Sequence, residues 1–415
     1  MLTKYKTELY LMQSLTKNKG GIMRRTTILA IAIAVFVIAS LGFGDDARVS
    51  AFGYGAKFIP DANDMIYTPI TALSYKNRIQ LEFGTYVGGG ATPSGQWGLF
   101  NLGLGENFVL GAAIRRSDGQ IFSIADYMAE TPPNPGINIW GAYNFGSARV
   151  GLGVYRAAYS SEQKDNENNT DKKYKSGVTS IRASAGVDIL GGTTETSFNL
   201  DFNGLSTENK NSSNQTSTDK TTGGMEIGLR LRAFIPAGDN VEIVPNAAFS
   251  TFSYSEEIND YSGNITDFGD YTNMNLDIGC AVNTQILDDG VISLGLGMNM
   301  INTDDNIDTT NEIEDKSISL PQITISTEIP TTDWLCFRGG LSKSFGSVTH
   351  TEGNIDSTMS ISEPNAVFAS FGAGIKFKNF SLDFTLSDDD LFEGFWFLSG
   401  KSINAVQLSA SYNWE

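Results

Sequence analysis

Positive charge is scarce in this 415-residue chain: 29 Lys and Arg stand against 47 Asp and Glu, a formal net charge of -18. Nucleic acid is thereby excluded as a partner, because phosphate backbones are held by basic patches. Charge of either sign is thin, at 18% of residues, below the roughly 25% of average soluble domains. Histidine is almost missing. The single one, His350, stands at the start of a predicted loop, and one imidazole without partners builds neither a nucleophilic triad nor a zinc site. No catalytic residue, metal site or cofactor is expected, and the chain does not read as an enzyme. Cysteine is limited to Cys280 and Cys336. The alternation described below puts them on opposite faces of their strands, which excludes a disulfide between them. Apolar runs long enough for a spanning helix are absent beyond the N-terminal region. The acidic runs Asp304-Asp305 to Asp315 and Asp388-Asp389-Asp390 either collect divalent cations at the cell surface or, without EF-hand spacing, are solvated loops, and the second reading is preferred.

What is present is the composition of strands and turns, with 44 Gly, 25 Phe and 15 Tyr. The N-terminal exception to the missing apolar runs is an address. Arg24 and Arg25 precede the run Ile28 to Leu41, followed by small residues, which is the layout of a Sec-type export signal. It predicts a signal over 23–44, cleaved somewhere between 39 and 51. Met23 is a second candidate start, which would make 1–22 an over-extended N-terminus.

From Asn77 onward, apolar and polar residues alternate with period two. Val406, Leu408, Ala410, Tyr412 and Trp414 share one face, while Gln407, Ser409, Ser411 and Asn413 share the other. The connections alternate as well. Seven are tight, such as Glu106-Asn107, Gly146-Ser147 and Lys378-Asn379. Eight are longer: 88–95, 117–136, 161–176, 208–222, 257–271, 303–316, 350–363 and 388–403. This asymmetry predicts an all-β fold: a transmembrane antiparallel up-and-down β-barrel over 77–415, with short periplasmic turns and long extracellular loops. About 16 strands are expected, with 14 to 18 open. Closure pairs every backbone N–H and C=O inside a bilayer that supplies no water. The long connections hold 26 Asp and Glu against 8 Lys and Arg, so the acidity gathers at one end. Pro321 interrupts the alternation and is expected at a bulge.

With apolar faces toward lipid, the alternate positions list a polar pore lining: Glu82, Arg115, Arg182, Asp188, Asp201, Glu226, Arg230, Arg232, Asp277, Arg338, Lys376 and Asp383. These charges either border an aqueous path or pair across a filled interior. Gly151, Gly153, Gly295 and Gly297 are small lumen-side positions. Residues 45–76 precede the first strand and form either a small plug or a periplasmic lead-in.

In this pattern the chain resembles the Gram-negative outer-membrane β-barrel proteins. Tyr412 and Trp414 are similar to the aromatic C-terminal signal by which that class is recognised by the barrel-assembly machinery, although Glu415 follows them here. The resemblance implies outer-membrane lipid around the barrel and, as in porins, a homo-oligomer. A narrower resemblance links Asp45 to Arg48, Phe52 to Ala56 and Asp64 to Pro69 with the long-chain fatty-acid transporter-like barrels. That family shows Asn-Pro-Ala where this chain reads Thr68-Pro69-Ile70. It implies 14 strands and uptake of hydrophobic compounds. The function expected is therefore a passive channel or transporter for small solutes across the outer membrane. The alternatives are a structural or interaction barrel (surface-loop receptor, adhesin or secretion-apparatus anchor) and hydrophobic-compound uptake.

Overall fold

The computed structural model describes residues 46–86, 96–116, 136–165, 170–189, 191–213, 215–287, 290–306, 313–352, 355–360, 367–388 and 405–414. The export signal, the candidate start at Met23 and the aromatic run Phe392 to Phe397 lie outside them. Seventeen strands form one antiparallel sheet. They are β1 (Arg78–Tyr86), β2 (Trp97–Leu104), β3 (Phe108–Arg116), β4 (Gly136–Asn144), β5 (Ala148–Asp165), β6 (Thr170–Ile189), β7 (Gly192–Lys210), β8 (Thr216–Pro236) and β9 (Val241–Asn259). They continue with β10 (Ile265–Ile286), β11 (Gly290–Asp305), β12 (Ile313–Thr332), β13 (Leu335–Glu352), β14 (Ile355–Ser360), β15 (Val367–Phe377), β16 (Phe380–Asp388) and β17 (Ala405–Asn413).

The sheet closes because β1 pairs with both β2 and β17. Strands β14 and β15 pair with successive parts of β13, at Ser347–Glu352 and Leu335–Lys343. They therefore occupy a single place in the wall, and the barrel has 16 staves. The tight turns predicted at Glu106-Asn107, Gly146-Ser147 and Lys378-Asn379 each fall between two strands. Pro321 sits where the β12–β13 register shifts, between Ser319 and Gln322.

Staves of the wall differ in height. Strands β1 to β4 and β15 to β17 have 8 to 11 residues, whereas β5 to β13 have 16 to 22. A tilted strand crosses the hydrocarbon in about ten residues, so the tall side continues into water. On β5 the outward residues Val150, Leu152 and Val154 are exposed and apolar, and Arg156 follows on the same face. The expected long loops at 161–176, 208–222, 257–271, 303–316 and 350–363 are thus corrected to paired hairpins over most of their length. Above the membrane both faces of a strand are wet, so backbone pairing persists after the apolar alternation has stopped. His350 accordingly lies within β13, opposite Asp315 of β12, and its Nδ1 is 2.6 Å from that carboxylate.

Candidate functional site

Residues 46–75 lie inside the barrel, against its turn end. They comprise a helix at Asp46–Phe52, a 3-10 turn at Gly53–Phe58, a single helical turn at Asp64–Tyr67 and a second 3-10 turn at Pro69–Ser74. Such short elements leave many terminal carbonyls without intrahelical partners, and the wall supplies them. Ser370 Oγ donates to Ala51 O at 2.9 Å, Ser326 Oγ to Phe52 O at 2.9 Å, and Asn283 Nδ2 to Phe58 O at 2.9 Å. Arg182 Nη1 donates to Ile66 O at 2.8 Å, and Asn101 Nδ2 to Ala72 O at 3.0 Å.

Glycines on the inner wall give this segment its room. A Cβ on Gly151 would stand 2.7 Å from Ile70 N, and one on Gly340 would stand 2.6 Å from the carbonyl carbon of Phe52. At Gly279 the crowding atom belongs to the Phe58 ring, at 2.8 Å, and at Gly295 the same ring stands at 2.6 Å beside the Thr324 hydroxyl. Gly151 and Gly295 are thus small lumen-side positions, and the inner segment uses their space.

Ion pairs join the segment to one side of the wall. Asp64 accepts from Arg232 at 2.8 Å and from Arg230 at 3.3 Å, and Arg232 also reaches Glu195 at 2.9 Å. Lys57 meets Asp277 at 2.7 Å. Arg48 bonds Glu328 at 3.0 Å and also pairs with Asp61. Glu328 in turn accepts from Arg338 at 2.8 Å, and Arg338 pairs with Asp383. Burial alone would raise the Asp64 carboxyl, but the Arg232 and Arg230 guanidiniums outweigh it and hold it below the usual carboxylate range. At Asp61 burial wins over Arg48, and the carboxyl is raised. Burial likewise raises the Tyr75 phenol, with Asp61 adding to the effect.

Phe58 packs with Phe234, Val244 and Ala281 on that same side, and the opposite side of the segment is apolar. Ala62, Met65, Ile66 and Ala72 pack with Trp97, Leu99, Val109, Ala113 and Trp140 of β2 to β4. Farther toward the tall end, Tyr155, Tyr174, Val178, Leu205, Phe252 and Tyr254 form a buried cluster on the inner face. Tyr254 and Tyr271 stack with ring centroids 5.1 Å apart. The polar reading of the lumen did not include this cluster, although Tyr155 shares its face with Gly151 and Gly153, already placed on the lumen side.

Of the charges expected on the inner wall, Arg182, Asp201, Glu226, Arg232, Arg338 and Asp383 are buried there, as is Glu82. Arg230 and Asp277 also point inward, onto the segment. Asp188 and Lys376 sit at the edge of the lumen. Both have inward parity but lie within three residues of a turn, so they stand exposed at the rim, with Asp188 paired to Arg149 at 2.7 Å. The Arg115 side chain lies outside the described residues. Arg48, Lys57, Asp61 and Asp64 were missed, because nothing local in a non-strand segment says which wall charge it will meet. Cys280 is exposed and Cys336 buried, on the faces expected. Tyr412 is exposed on the outer face, and Trp414 stacks on Phe100 at 5.5 Å. Among the described residues no group of three or more His, Cys, Asp and Glu side chains is placed to hold a metal ion.

No protein-family model matches the chain, and no curated protein matches it in sequence. Among solved structures it is similar to a FadL homologue of Pseudomonas aeruginosa, at 11% identity, with 90% of this chain and 100% of that one covered and a TM-score of 0.42. It is similar to the toluene transporter TbuX of Ralstonia pickettii at 13% identity, covering 90% and 99%, with a TM-score of 0.39. It is also similar to BauA, the ferric preacinetobactin receptor of Acinetobacter baumannii, at 10% identity, covering 75% and 53%, with a TM-score of 0.42.

Proposed function

We propose that this protein is an outer-membrane barrel that passes small solutes passively, with residues 46–75 as a plug closing its periplasmic, turn-bearing end. The observation that carries this reading is the unequal way the segment is held. On β2 to β4 it buries Met65 and Ile66, and each such side chain stabilises by about 1.5–3 kcal/mol. On the far side it buries Phe58 against Phe234, Val244 and Ala281 and adds ion pairs to Asp277, Glu328, Arg230 and Arg232. Desolvation offsets most of the Coulombic gain of such pairs, so burial supplies most of the hold and the pairs fix its position. Burial on both sides with an ionic latch on one suits a plug kept within the barrel. The aromatic inner face above it favours solutes that carry apolar surface. Tyr412 and Trp414 act in assembly, at the seam where β17 meets β1.

Purified protein in planar bilayers is expected to give discrete conductance steps, and removal of residues 46–75 to enlarge them. A well-folded sample that stays silent in both forms refutes the channel. A second reading, a surface-loop receptor, rests on the paired hairpins that rise above the membrane. It is favoured instead if removing 257–271 and 303–316 abolishes binding of a partner while permeability is unchanged.

A further inference from the structure

At the turn end, a cavity of about 480 Å3 opens between the inner segment and strands β8 to β12. Its size is that of a small-molecule site. Ile59, Pro60, Val241 and Val291 give it apolar walls, and Asp239 and Glu242 bring two carboxylates to it. Neither carboxylate has a direct ion-pair partner among the described residues; Glu242 accepts from the Asn283 amide at 3.4 Å, and the Arg232 guanidinium acts on it from a distance. Asn283 is 5% exposed and also lines the cavity, and its Oδ1 has no hydrogen-bond partner among the described residues. The one guanidinium at the cavity, Arg48, is already bonded to Asp61 and Glu328. The cavity therefore offers hydrogen-bond acceptors, two carboxylates outside any direct ion pair among the described residues and an apolar wall.

We propose that this cavity binds a small organic cation, an ammonium group on an apolar body, and that amines of this kind are the solutes the barrel passes. The second part rests on the transport reading above; the first does not. An ammonium suits two carboxylates beside an apolar wall, since it is positively charged and donor-only, and its body takes the Ile59–Pro60 side. The far end of the lumen has the same pairing of chemistries. Glu256 follows two residues after Tyr254 on the same face of β9, and Asp305 lies opposite Tyr271, so aromatic faces and carboxylates stand together where a cation is attracted by both.

Benzylamine, benzyl alcohol and benzoate are the probes, titrated calorimetrically into the full-length protein in detergent micelles at neutral pH. Benzylamine is expected to bind more tightly than the other two. Asp239→Asn with Glu242→Gln is expected to weaken benzylamine by about tenfold and to leave benzyl alcohol unchanged. Because Glu242 touches Asn283, a second variant sits in the exposed turn alone: Asp239→Lys should lower benzylamine affinity and raise that of benzoate. Benzyl alcohol binding as tightly as benzylamine, or amine affinity that survives the double variant, overturns the site. Bilayer conductance in benzylammonium chloride is read separately. A protein that conducts small ions but shows no preference for benzylammonium over benzoate loses the amine assignment and keeps the channel. One that binds benzylamine yet never conducts keeps the site and loses transport.

Discussion

Asp64→Asn tests the ionic latch at its centre. The substitution keeps the shape of the side chain and removes its charge, so Arg232 and Arg230 lose the carboxylate they share, at 2.8 and 3.3 Å. Arg232 then keeps Glu195 at 2.9 Å and the Lys57 carbonyl at 3.5 Å, while two guanidiniums face each other. Removing one partner of a buried pair costs about 3 kcal/mol, which multiplies the released population roughly a hundredfold. Ala62, two residues away and 2% exposed, reports the release. In a background of C280A and C336A, the A62C thiol is titrated with a water-soluble thiosulfonate reagent in membrane vesicles. D64N is expected to raise the labelling rate by roughly a hundredfold, while heat-modifiable gel mobility shows the barrel intact. An unchanged rate with an intact barrel refutes the idea that this pair holds the segment down.

Three further outcomes follow from the same geometry. Gly340→Val places atoms where the Phe52 carbonyl carbon would be 2.6 Å from the new Cβ; backbone cannot swing aside, so the segment shifts and A62C labelling rises, whereas an unchanged rate shows the wall yields instead. The Asp64 carboxyl is held low, so its contribution to docking is complete above the usual carboxylate range and fades only as pH falls through its depressed value; A62C labelling, taken relative to a free cysteine at the same pH because only the thiolate reacts, is expected to stay flat from neutral pH to the usual carboxylate pKa and to climb below it, and D64N should show a smaller acid limb. Leu152→Arg puts a charge on the exposed apolar face of β5, costing about 2–4 kcal/mol near the midplane, read as a lower midpoint in urea unfolding from liposomes; Arg at outward, already wet Ser160 serves as the control that should not move it.

The outward half of this barrel was legible because lipid writes it directly. Val150, Leu152 and Val154, or Leu294 and Leu296, must be apolar whatever the protein carries, and the turns between staves must be tight. That demand stops at the membrane surface. Past Val154 on β5 nothing forces alternation, so the paired hairpins above it read as loops although their backbones remain in register to Asp165 and Thr170. Asp188 and Lys376 stand at the rim for the same reason: parity assigns a face, but not how far along the stave the lumen extends.

The inward half is set by a partner, and the partner here is the chain's own N-terminal region, far away in sequence. Lys57 and Asp277 are 220 residues apart, and Asn283 meets Phe58 across 225. Period two states that Asp277 faces inward, and no local pattern states that an ammonium waits for it. Yet the glycines held part of the answer. A lumen filled only by water has no reason to exclude a methyl group at Gly151, Gly279, Gly295 and Gly340, since water yields to any side chain. Backbone and an aromatic ring do not yield, and at these positions Ile70, Phe58 and Phe52 occupy the space. Inward-facing glycines on separate staves, all near the turn end, are thus the imprint of a solid occupant. Alternating charges without them would be the mark of an open pore.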